Sequence, residues 1–246
     1  MHADVLAVTC ADPHVGMARC GAVAGSYEVM SIVDADDDLA ALLDDAERER
    51  ARRDALTRVR GLSTGAWDAA AAVESGIHHR GFLVVDGLLM RPWNWDEDGL
   101  HVHAEVGWAV LEPTRLVVLD HGLVARMVPW PELGLELFSR GTRRAHQLAV
   151  ALAIAHHQRV DDRVLLTLWH VAERWGRVGR EGIVVDLPLS HQRLADLVGA
   201  HRPSVTSALG ELAKAGAVSR RESGEWLLHG QPPEQLRNHP LAAAMT

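Results

Sequence analysis

Residues Leu187–Gly230 read LPLSHQRLADLVGAHRPSVTSALGELAKAGAVSRRESGEWLLHG. Ser190 can accept a hydrogen bond from a backbone N–H at the start of a helix, and the apolar residues after it recur at helical spacing. Gly199 supplies the positive φ that a sharp turn between two helices needs. A second helix is predicted from Arg202 and Pro203, because proline is tolerated in a first helical turn. The stretch therefore predicts two short helices joined by a tight turn.

The residues after the second helix have the pattern of a β-hairpin. A strand begins near Val218, residues 222–225 are turn-like, and Trp226–Leu228 form the returning strand. Arg220 and Arg221 lie where such a hairpin can meet a DNA backbone. Two helices, a glycine turn and a basic hairpin in this order are the layout of a winged helix-turn-helix, which places one helix in the major groove. A plain helical hairpin packed on its own core is the alternative.

The second helix has one apolar face and one polar face. Its inward face is predicted to hold Val205, Ala208, Leu209 and Leu212. Its other face carries small or polar residues that can approach DNA, namely Pro203, Ser204, Ser207, Gly210 and Lys214. We expect Arg202 to read a base. The remaining predicted contacts with bases or with the backbone come from His191, Gln192, Pro203, Ser204, Ser207, Lys214, Arg220 and Arg221.

This segment resembles the C-terminal domain of the Crp/Fnr transcription regulators. The pattern that carries the resemblance is Leu189-Ser190-x-Gln192-x-Leu194-Ala195-x-Leu197-Val198-Gly199-x-x-Arg202-x-Ser204-Val205, followed by Leu209, Leu212 and Gly216. Upstream, Arg163–Leu168 is similar to the first helix of the family's DNA-binding domain, and Glu112–Leu116 is similar to the end of its sensor domain. The resemblance covers residues 108–230 well and residues 31–107 weakly.

The resemblance implies a homodimer that binds a roughly palindromic operator in double-stranded DNA and regulates transcription, with RNA polymerase as a further partner. In the family the residue that matches Arg202 reads guanine, and a bidentate arginine–guanine contact is chemically sound. Pro203 and Ser207 stand where the best-known members carry a glutamate and a second arginine. The operator sequence therefore does not carry over.

The composition is compatible with a two-domain regulator. The chain has 246 residues, 48% of them hydrophobic, which is enough for two modest cores. No apolar run approaches the ~20 residues that a membrane span needs, so we expect a soluble, cytoplasmic protein with no membrane partner. The net charge is −8, with acidic residues concentrated over 34–47. Between Leu189 and Gly230 five Lys/Arg face four Asp/Glu, which predicts modest non-specific DNA affinity.

The upstream residues predict a helix followed by a small antiparallel sheet. Helical spacing of apolar residues runs from Leu39 to Arg60. Strand-like runs follow at Gly81–Val85, Leu88–Met90, Val102–Val110 and Leu116–Leu119. Asp86–Gly87 between two of these runs is a hairpin signal. Together these patterns favour a β-roll or barrel.

A long helix is predicted from Pro131 to His157. Its positions near a 3–4 repeat are Leu133, Leu137, Gly141, Arg144, Leu148, Ala151, Leu152 and Ala155. In the family this helix pairs with its twin in a dimer, and the spacing is compatible with such a seam. An amphipathic helix packed on its own chain is the alternative, and Arg144 argues against a fully apolar seam.

The predicted fold class is α+β. An N-terminal antiparallel β-roll that is cyclic-nucleotide-binding-like precedes a long dimerisation helix and a C-terminal winged helix-turn-helix. The expected divisions are a poorly ordered extension over 1–30, the sensor-like roll over 31–125, the dimerisation helix over 126–158, the DNA-binding domain over 159–232 and a tail over 233–246.

The sequence predicts no cofactor. Cyclic-nucleotide-binding members hold the phosphate with a Gly-Glu pair, an arginine and a small hydroxyl residue, and no such set occurs between Leu83 and Leu119. Cys10 and Cys20 are the two thiols of the chain, whereas iron–sulfur clusters usually take four. The identity of a small-molecule effector is not indicated.

A metal site is the main alternative to DNA binding. His101, His103 and Glu105 alternate, so a strand would point all three to one face, as in a cupin-like metal sensor or enzyme. The glutamate follows the second histidine too closely for the usual cupin spacing, and histidines without a metal are the competing interpretation. Catalytic motifs such as a Gly-x-Ser-x-Gly elbow are missing from the sequence, so no enzyme activity is predicted.

Overall fold

The computed structural model describes residues 6–7, 27–68, 79–90, 95–96, 99–100 and 108–237. The chain divides into two compact units, and the last division falls between Ala145 and His146. Unit 1 contains the described residues up to Met90 and those from Trp108 to Ala145. Unit 2 contains the described residues 95–96 and 99–100 and those from His146 onward.

Strands dominate the part of the chain before residue 121. They are β1 (Leu6–Ala7), β2 (Tyr27–Ser31), β3 (Leu56–Leu62), β4 (Gly65–Trp67), β5 (His79–Met90), β6 (Trp95–Asp96), β7 (Gly99–Leu100) and β8 (Trp108–Asp120). The order β1-β5-β8-β3-β2 forms an antiparallel sheet, and β4 also pairs with β8. The short strands β6 and β7 pair with each other.

Helices flank this sheet on one face. They are α1 (Ile32–Ala35), α2 (Asp37–Ala40), α3 (Asp45–Asp54), α4 (His121–Met127) and α5 (Pro131–Ala155). Successive side chains of the central strands point to opposite faces of the sheet, so two separate apolar clusters form. Leu83 and Val117 pack with residues of the helices, whereas their neighbours Phe82 and Val118 pack with Trp67 and Trp108 on the other face. The mixture of helices and an antiparallel sheet confirms the predicted α+β class.

The single helix predicted over Leu39–Arg60 is wrong. Asp36 accepts a hydrogen bond from the backbone N–H of Leu39 and starts α2, while Asp44 caps α3 in a reciprocal capping box with Glu47. The residues after Asp54 alternate between exposed and buried positions and form β3. The strand period is thus the better description of Leu56–Leu62.

The hairpin predicted at Asp86–Gly87 is also wrong, because β5 continues through it. The register between β5 and β8 shifts on both sides of Asp86, which is a bulge in a long strand. Gly87 has φ +90°, and an added Cβ would collide with Thr114 and the Pro113 carbonyl. The Asp86 carboxylate accepts hydrogen bonds from the backbone N–H of Arg115 at 3.1 Å and from its Nε at 2.7 Å. The turn-type residues therefore accommodate the bulge.

Helix α5 confirms the predicted long helix and contributes to a core at each end. Leu133 and Leu137 are buried in unit 1, so the stripe predicted to form a dimer seam packs on its own chain at these two positions. Val150 and Ile154 are buried in the core of unit 2.

Unit 2 combines helices with a small antiparallel sheet. Its elements after α5 are α6 (Val160–Trp175), β9 (Gly176–Val178), β10 (Ile183–Val185), α7 (His191–Val198), α8 (Arg202–Lys214), β11 (Val218–Arg220), β12 (Trp226–Leu228) and α9 (Glu234–Arg237). The strand order is β11-β12-β10-β9. The core gathers apolar residues of α6, α7 and α8 together with Trp226 and Leu228.

Parts of both predicted end segments belong to the fold. Tyr27–Met30 were assigned to the extension over 1–30, but they pair with β3. The tail predicted over 233–246 begins with α9, whose Leu236 is buried in the core of unit 2. Cys10, Cys20, His101, His103 and Glu105 lie outside the described residues.

None of the helices that the structure describes is long and apolar enough to cross a membrane.

Candidate nucleic-acid interface

Helix α7 forms as its sequence predicts. The Ser190 hydroxyl accepts a hydrogen bond from the backbone N–H of Arg193 at 3.2 Å, which satisfies one of the free donors at the helix start. Leu194 and Val198 turn inward and are buried. The helix ends at Gly199 in the left-handed conformation, with φ +58° and ψ +57°. The cap and the glycine turn predicted from the sequence are therefore confirmed.

Arg163 of α6 holds this turn from the interior. Its Nη1 donates hydrogen bonds to the carbonyl oxygens of Val198 at 3.0 Å and Gly199 at 3.1 Å. The residue is only 6% exposed, and burial lowers the pKa of its guanidinium. Because the last carbonyls of a helix have no partner within it, this buried donor satisfies acceptors that water cannot reach. Arg163 thereby fixes where α7 ends and α8 begins.

The substitution Arg163→Met is expected to lower the free energy of unfolding of unit 2 by about 2–3 kcal/mol, since two buried carbonyls lose a charged donor. Urea denaturation followed by circular dichroism measures the change. Arg159→Met is the matched control, because Arg159 lies next to α6 with a side chain 72% exposed and pairs with Asp161 at the surface. Equal stability of the two variants would contradict the role of Arg163.

Helix α8 presents a continuous outward face. Val205, Ala208, Leu209 and Leu212 are buried against the core, as predicted. The residues on the opposite side of the helix are exposed, namely Arg202, Pro203, Ser204, Ser207, Gly210 and Lys214. Small side chains leave the backbone of this face open to close approach by a ligand. The face therefore has the shape that a groove-reading helix requires.

The β11–β12 hairpin is anchored beside the start of α7. Trp226 is buried, and its Nε1 donates a hydrogen bond to the Leu189 carbonyl at 3.0 Å. The Arg220 guanidinium lies 5.0 Å from the centre of the Trp226 ring, in a cation–π contact. Gly224 adopts φ +93° and lets the hairpin turn tightly. This packing brings Arg220 close to the two helices.

A shallow basic cleft of about 300 Å³ lies where the three elements meet. Its lining residues are Ser190, His191, Gln192, Arg202 and Arg220. The Nδ1 of His191 lies 3.0 Å from the Thr206 hydroxyl oxygen. Burial lowers the pKa of His191 below its usual value, and the charges of Arg220 and Arg202 lower it further. The start of α7 adds backbone N–H groups to these cations, which suits an anion such as a phosphate.

Two of the other predicted contact residues form ion pairs with acidic neighbours. Lys214 pairs with Glu211 at 2.7 Å, one turn earlier on α8. Arg221 pairs with Glu181 at 3.3 Å and lies 3.6 Å from Glu225. Glu181 reaches Arg221 from the β9–β10 turn, a hairpin that the sequence prediction missed. The run Ile183–Val185 after Gly182 was the signal that could have indicated it.

The sequence assigned no individual role to two further residues of the site. In the sequence, Arg163 is one charged residue of an amphipathic helix. Nothing in its spacing indicates the contact with Val198, which lies 35 positions away. Thr206 lies on α8 between the predicted contacts, and its hydroxyl donates to the Arg202 carbonyl at 3.0 Å.

Residues 162–237 match the family model of the Crp-like helix-turn-helix domain. The match begins in α6, runs through both helices and the hairpin, and ends with α9. Residues 162–237 therefore carry a Crp-like helix-turn-helix domain.

Several curated regulators match this chain over parts of their sequences. The regulatory protein CysR of Synechococcus elongatus is 36% identical over 74 residues, covering 29% of this chain and 36% of the relative. The anaerobic regulatory protein of Bacillus subtilis is 38% identical over 63 residues, covering 26% of each chain. A global nitrogen regulator of Synechocystis is 29% identical, and the match covers 36% of this chain and 40% of that regulator. The chain thus spans well under half of these relatives.

Solved structures share most of the fold of this chain. A CooA mutant from Carboxydothermus hydrogenoformans superposes with a TM-score of 0.54 at 18% identity, covering 70% of this chain and 83% of that one. A cyclic nucleotide-binding domain containing protein from Listeria monocytogenes gives 0.54 at 14% identity, covering 69% and 88%. At these identities the likeness shows a shared fold.

Within the part of the chain that the structure describes, no group of three or more His, Cys, Asp or Glu side chains is placed to hold a metal ion.

Proposed function

We propose that this chain is a non-catalytic transcription regulator that binds a roughly palindromic operator as a homodimer. The observation that carries the proposal is the exposed face of α8, which begins at Arg202 and adjoins the cleft between His191 and Arg220. The face suits base edges, and the cleft suits a backbone phosphate. One protomer would then hold a half-site through both kinds of contact.

The role of each contact residue in the half-site follows from where that residue lies on α8 or on the β11–β12 hairpin. Arg202 stands at the start of α8, where a side chain can reach the edge of a base. Ser204 and Ser207 follow on the exposed face and offer short hydroxyl contacts. Lys214 and Arg221 have acidic neighbours, so their contribution is to the electrostatic field more than to a fixed contact. Their effect on affinity should therefore depend strongly on salt.

A second stripe of α5 supports the dimer. The residues at alternating spacings of three and four are exposed, namely Leu135, Phe138, Thr142, Ala145, Ala149 and Leu152. Leu135 is 67% exposed and Phe138 is 72% exposed, which is unusual for large apolar side chains within a helix. A repeat of this kind matches the seam of two paired helices. We assign the dimer contact to this stripe, which shares Leu152 with the stripe predicted by sequence and otherwise lies one or two residues from it.

Selection of bound duplexes from random DNA tests the proposal. The expected result is a sequence with two-fold symmetry, its half-sites separated by about one helical turn. Sedimentation of the complex measures whether two protomers occupy one duplex. Recovery of no preferred sequence would contradict operator binding, and a single asymmetric site with one protomer would contradict the dimer.

Replacing Arg202 by alanine is expected to weaken binding to the selected duplex by about 1–3 kcal/mol, or roughly 5- to 150-fold, and to relax selection at one base position. The loss arises because a bidentate contact with a base edge disappears. Competition binding with duplexes that vary one position at a time measures both effects. Arg50→Ala removes an arginine of equal charge from α3 in unit 1 and should leave affinity and selectivity unchanged. Unaltered selectivity in the Arg202 variant would exclude it as a base-reading residue.

A further inference from the structure

The imidazole of His191 stands between cations from two other elements. Arg202 approaches from α8 and Arg220 from β11, and both line the same cleft as His191. The third neighbour is the neutral indole of Trp226 on β12, whose ring centre lies 6.1 Å from that of the imidazole. Asp196 is the next carboxylate along α7, and it accepts a hydrogen bond from Gln192 at 2.8 Å. The charges that act on His191 are therefore positive.

A chain of hydrogen bonds determines which nitrogen of His191 carries the proton. The Thr206 hydroxyl donates its single proton to the Arg202 carbonyl at 3.0 Å, so its oxygen acts as acceptor toward His191. We accordingly assign the neutral tautomer with a proton on Nδ1 and a lone pair on Nε2. In that state Nε2 accepts hydrogen bonds and repels a phosphate oxygen. As an imidazolium it donates one.

The free cleft and the occupied cleft favour different charge states. Without an anion, burial disfavours the imidazolium, and Arg220 and Arg202 repel it, so its pKa lies below the usual value near 6.5. A phosphate placed among the same cations adds a negative charge within contact distance and a hydrogen-bond acceptor for Nε2. Both effects favour the protonated ring and raise its pKa in the complex.

We propose that His191 contacts the DNA backbone as an imidazolium, so that each cleft takes up a proton when it receives a phosphate. The inference rests on the proposed function, because the phosphate is that of the operator. DNA binding by this chain is then linked to pH. The complex holds more protons than the free protein, so affinity rises as pH falls through the pKa of the bound state. The rise ends below the lowered pKa of the free state.

Three proteins separate this effect from other titrations. Wild type, His191→Gln and His191→Arg are compared on the duplex recovered by selection, between pH 8 and pH 5.5 at constant salt. The glutamine variant cannot gain a charge, and the arginine variant carries one throughout. Wild-type affinity should increase by up to about tenfold per pH unit and per protomer relative to both variants. His191→Arg should bind at least as tightly at pH 8 as wild type does at pH 6.

Proton uptake by the unaltered protein provides a readout that needs no variant. Calorimetry at one pH in two buffers of different ionisation heat should show uptake that is lost in His191→Arg. The inference is overturned if wild type binds the duplex with the same pH profile as both variants, or without proton uptake. Such an outcome leaves operator binding intact. Absence of any preferred duplex at every pH overturns the proposed function itself, and the inference with it.

Discussion

Arg140→Met is expected to reduce the free energy of unfolding of unit 1 by about 3–5 kcal/mol. The guanidinium of Arg140 on α5 donates from Nη1 to Asp36 Oδ2 at 2.5 Å and from Nη2 to Asp36 Oδ1 at 3.2 Å. The two side chains are 3% and 2% exposed. Without the Arg140 guanidinium, the Asp36 carboxylate stays buried. The backbone N–H of Leu39 is then its remaining donor in this group. Urea denaturation with hydrogen exchange of the unit-1 strands measures the loss.

Arg143→Met is the matched control for Arg140. Both arginines lie on α5 and donate to Glu136 Oε1, but the side chain of Arg143 is 43% exposed. Burial opposes the ionisation of Glu136, yet the hydrogen bonds from Arg143 and Arg140 outweigh it and lower the pKa of that carboxyl. Arg143→Met should cost at most about 1 kcal/mol. Adding Asp36→Asn to Arg140→Met should restore part of the stability, because the buried charge is then removed. A loss below 1 kcal/mol for Arg140→Met alone would contradict this account.

Phe138→Glu is expected to shift the protein to monomers and to weaken operator binding by at least about a hundredfold. At the proposed seam two glutamates would face each other across the dimer axis, where apolar area is otherwise buried. Loss of the dimer removes one of two half-site contacts, so affinity falls steeply. Analytical ultracentrifugation and binding to the selected duplex measure the two effects on the same protein.

Val128→Glu is the control for Phe138→Glu. Val128 follows α4 in the same unit and is also 72% exposed, so the substitution adds the same charge at equal exposure away from the seam. It should leave the association state unchanged. Dissociation by both variants, or by neither, would contradict the assignment of the seam.

The C-terminal unit was predictable because its signals are local. The Ser190 cap, the Gly199 turn and the apolar residues of α8 each depend on residues within one turn. Such features follow from backbone conformation and helical spacing. The contact of Arg163 with the α7 end joins residues far apart in sequence, and no local pattern encodes it.

Unit 1 was harder to predict because its key signals have two meanings. Asp86–Gly87 is compatible with a hairpin turn, but the positive φ of Gly87 accommodates a bulge instead. In α5 a 3–4 repeat can be drawn through Leu133 and Leu137 or through Leu135 and Phe138. Only the packing of the sheet and its helices determines which stripe is buried.

The two ends of α5 have a practical consequence for dissecting the protein. A DNA-binding fragment begun at the predicted boundary of 159 would lack Val150 and Ile154, and the apolar residues they cover would meet water. A fragment of the predicted β-roll ended at 125 would lose Leu133, Leu137 and the guanidinium that neutralises Asp36. Fragments that overlap across the whole of α5 are therefore the ones that should stay folded, and each core depends on a stretch of helix outside its predicted domain.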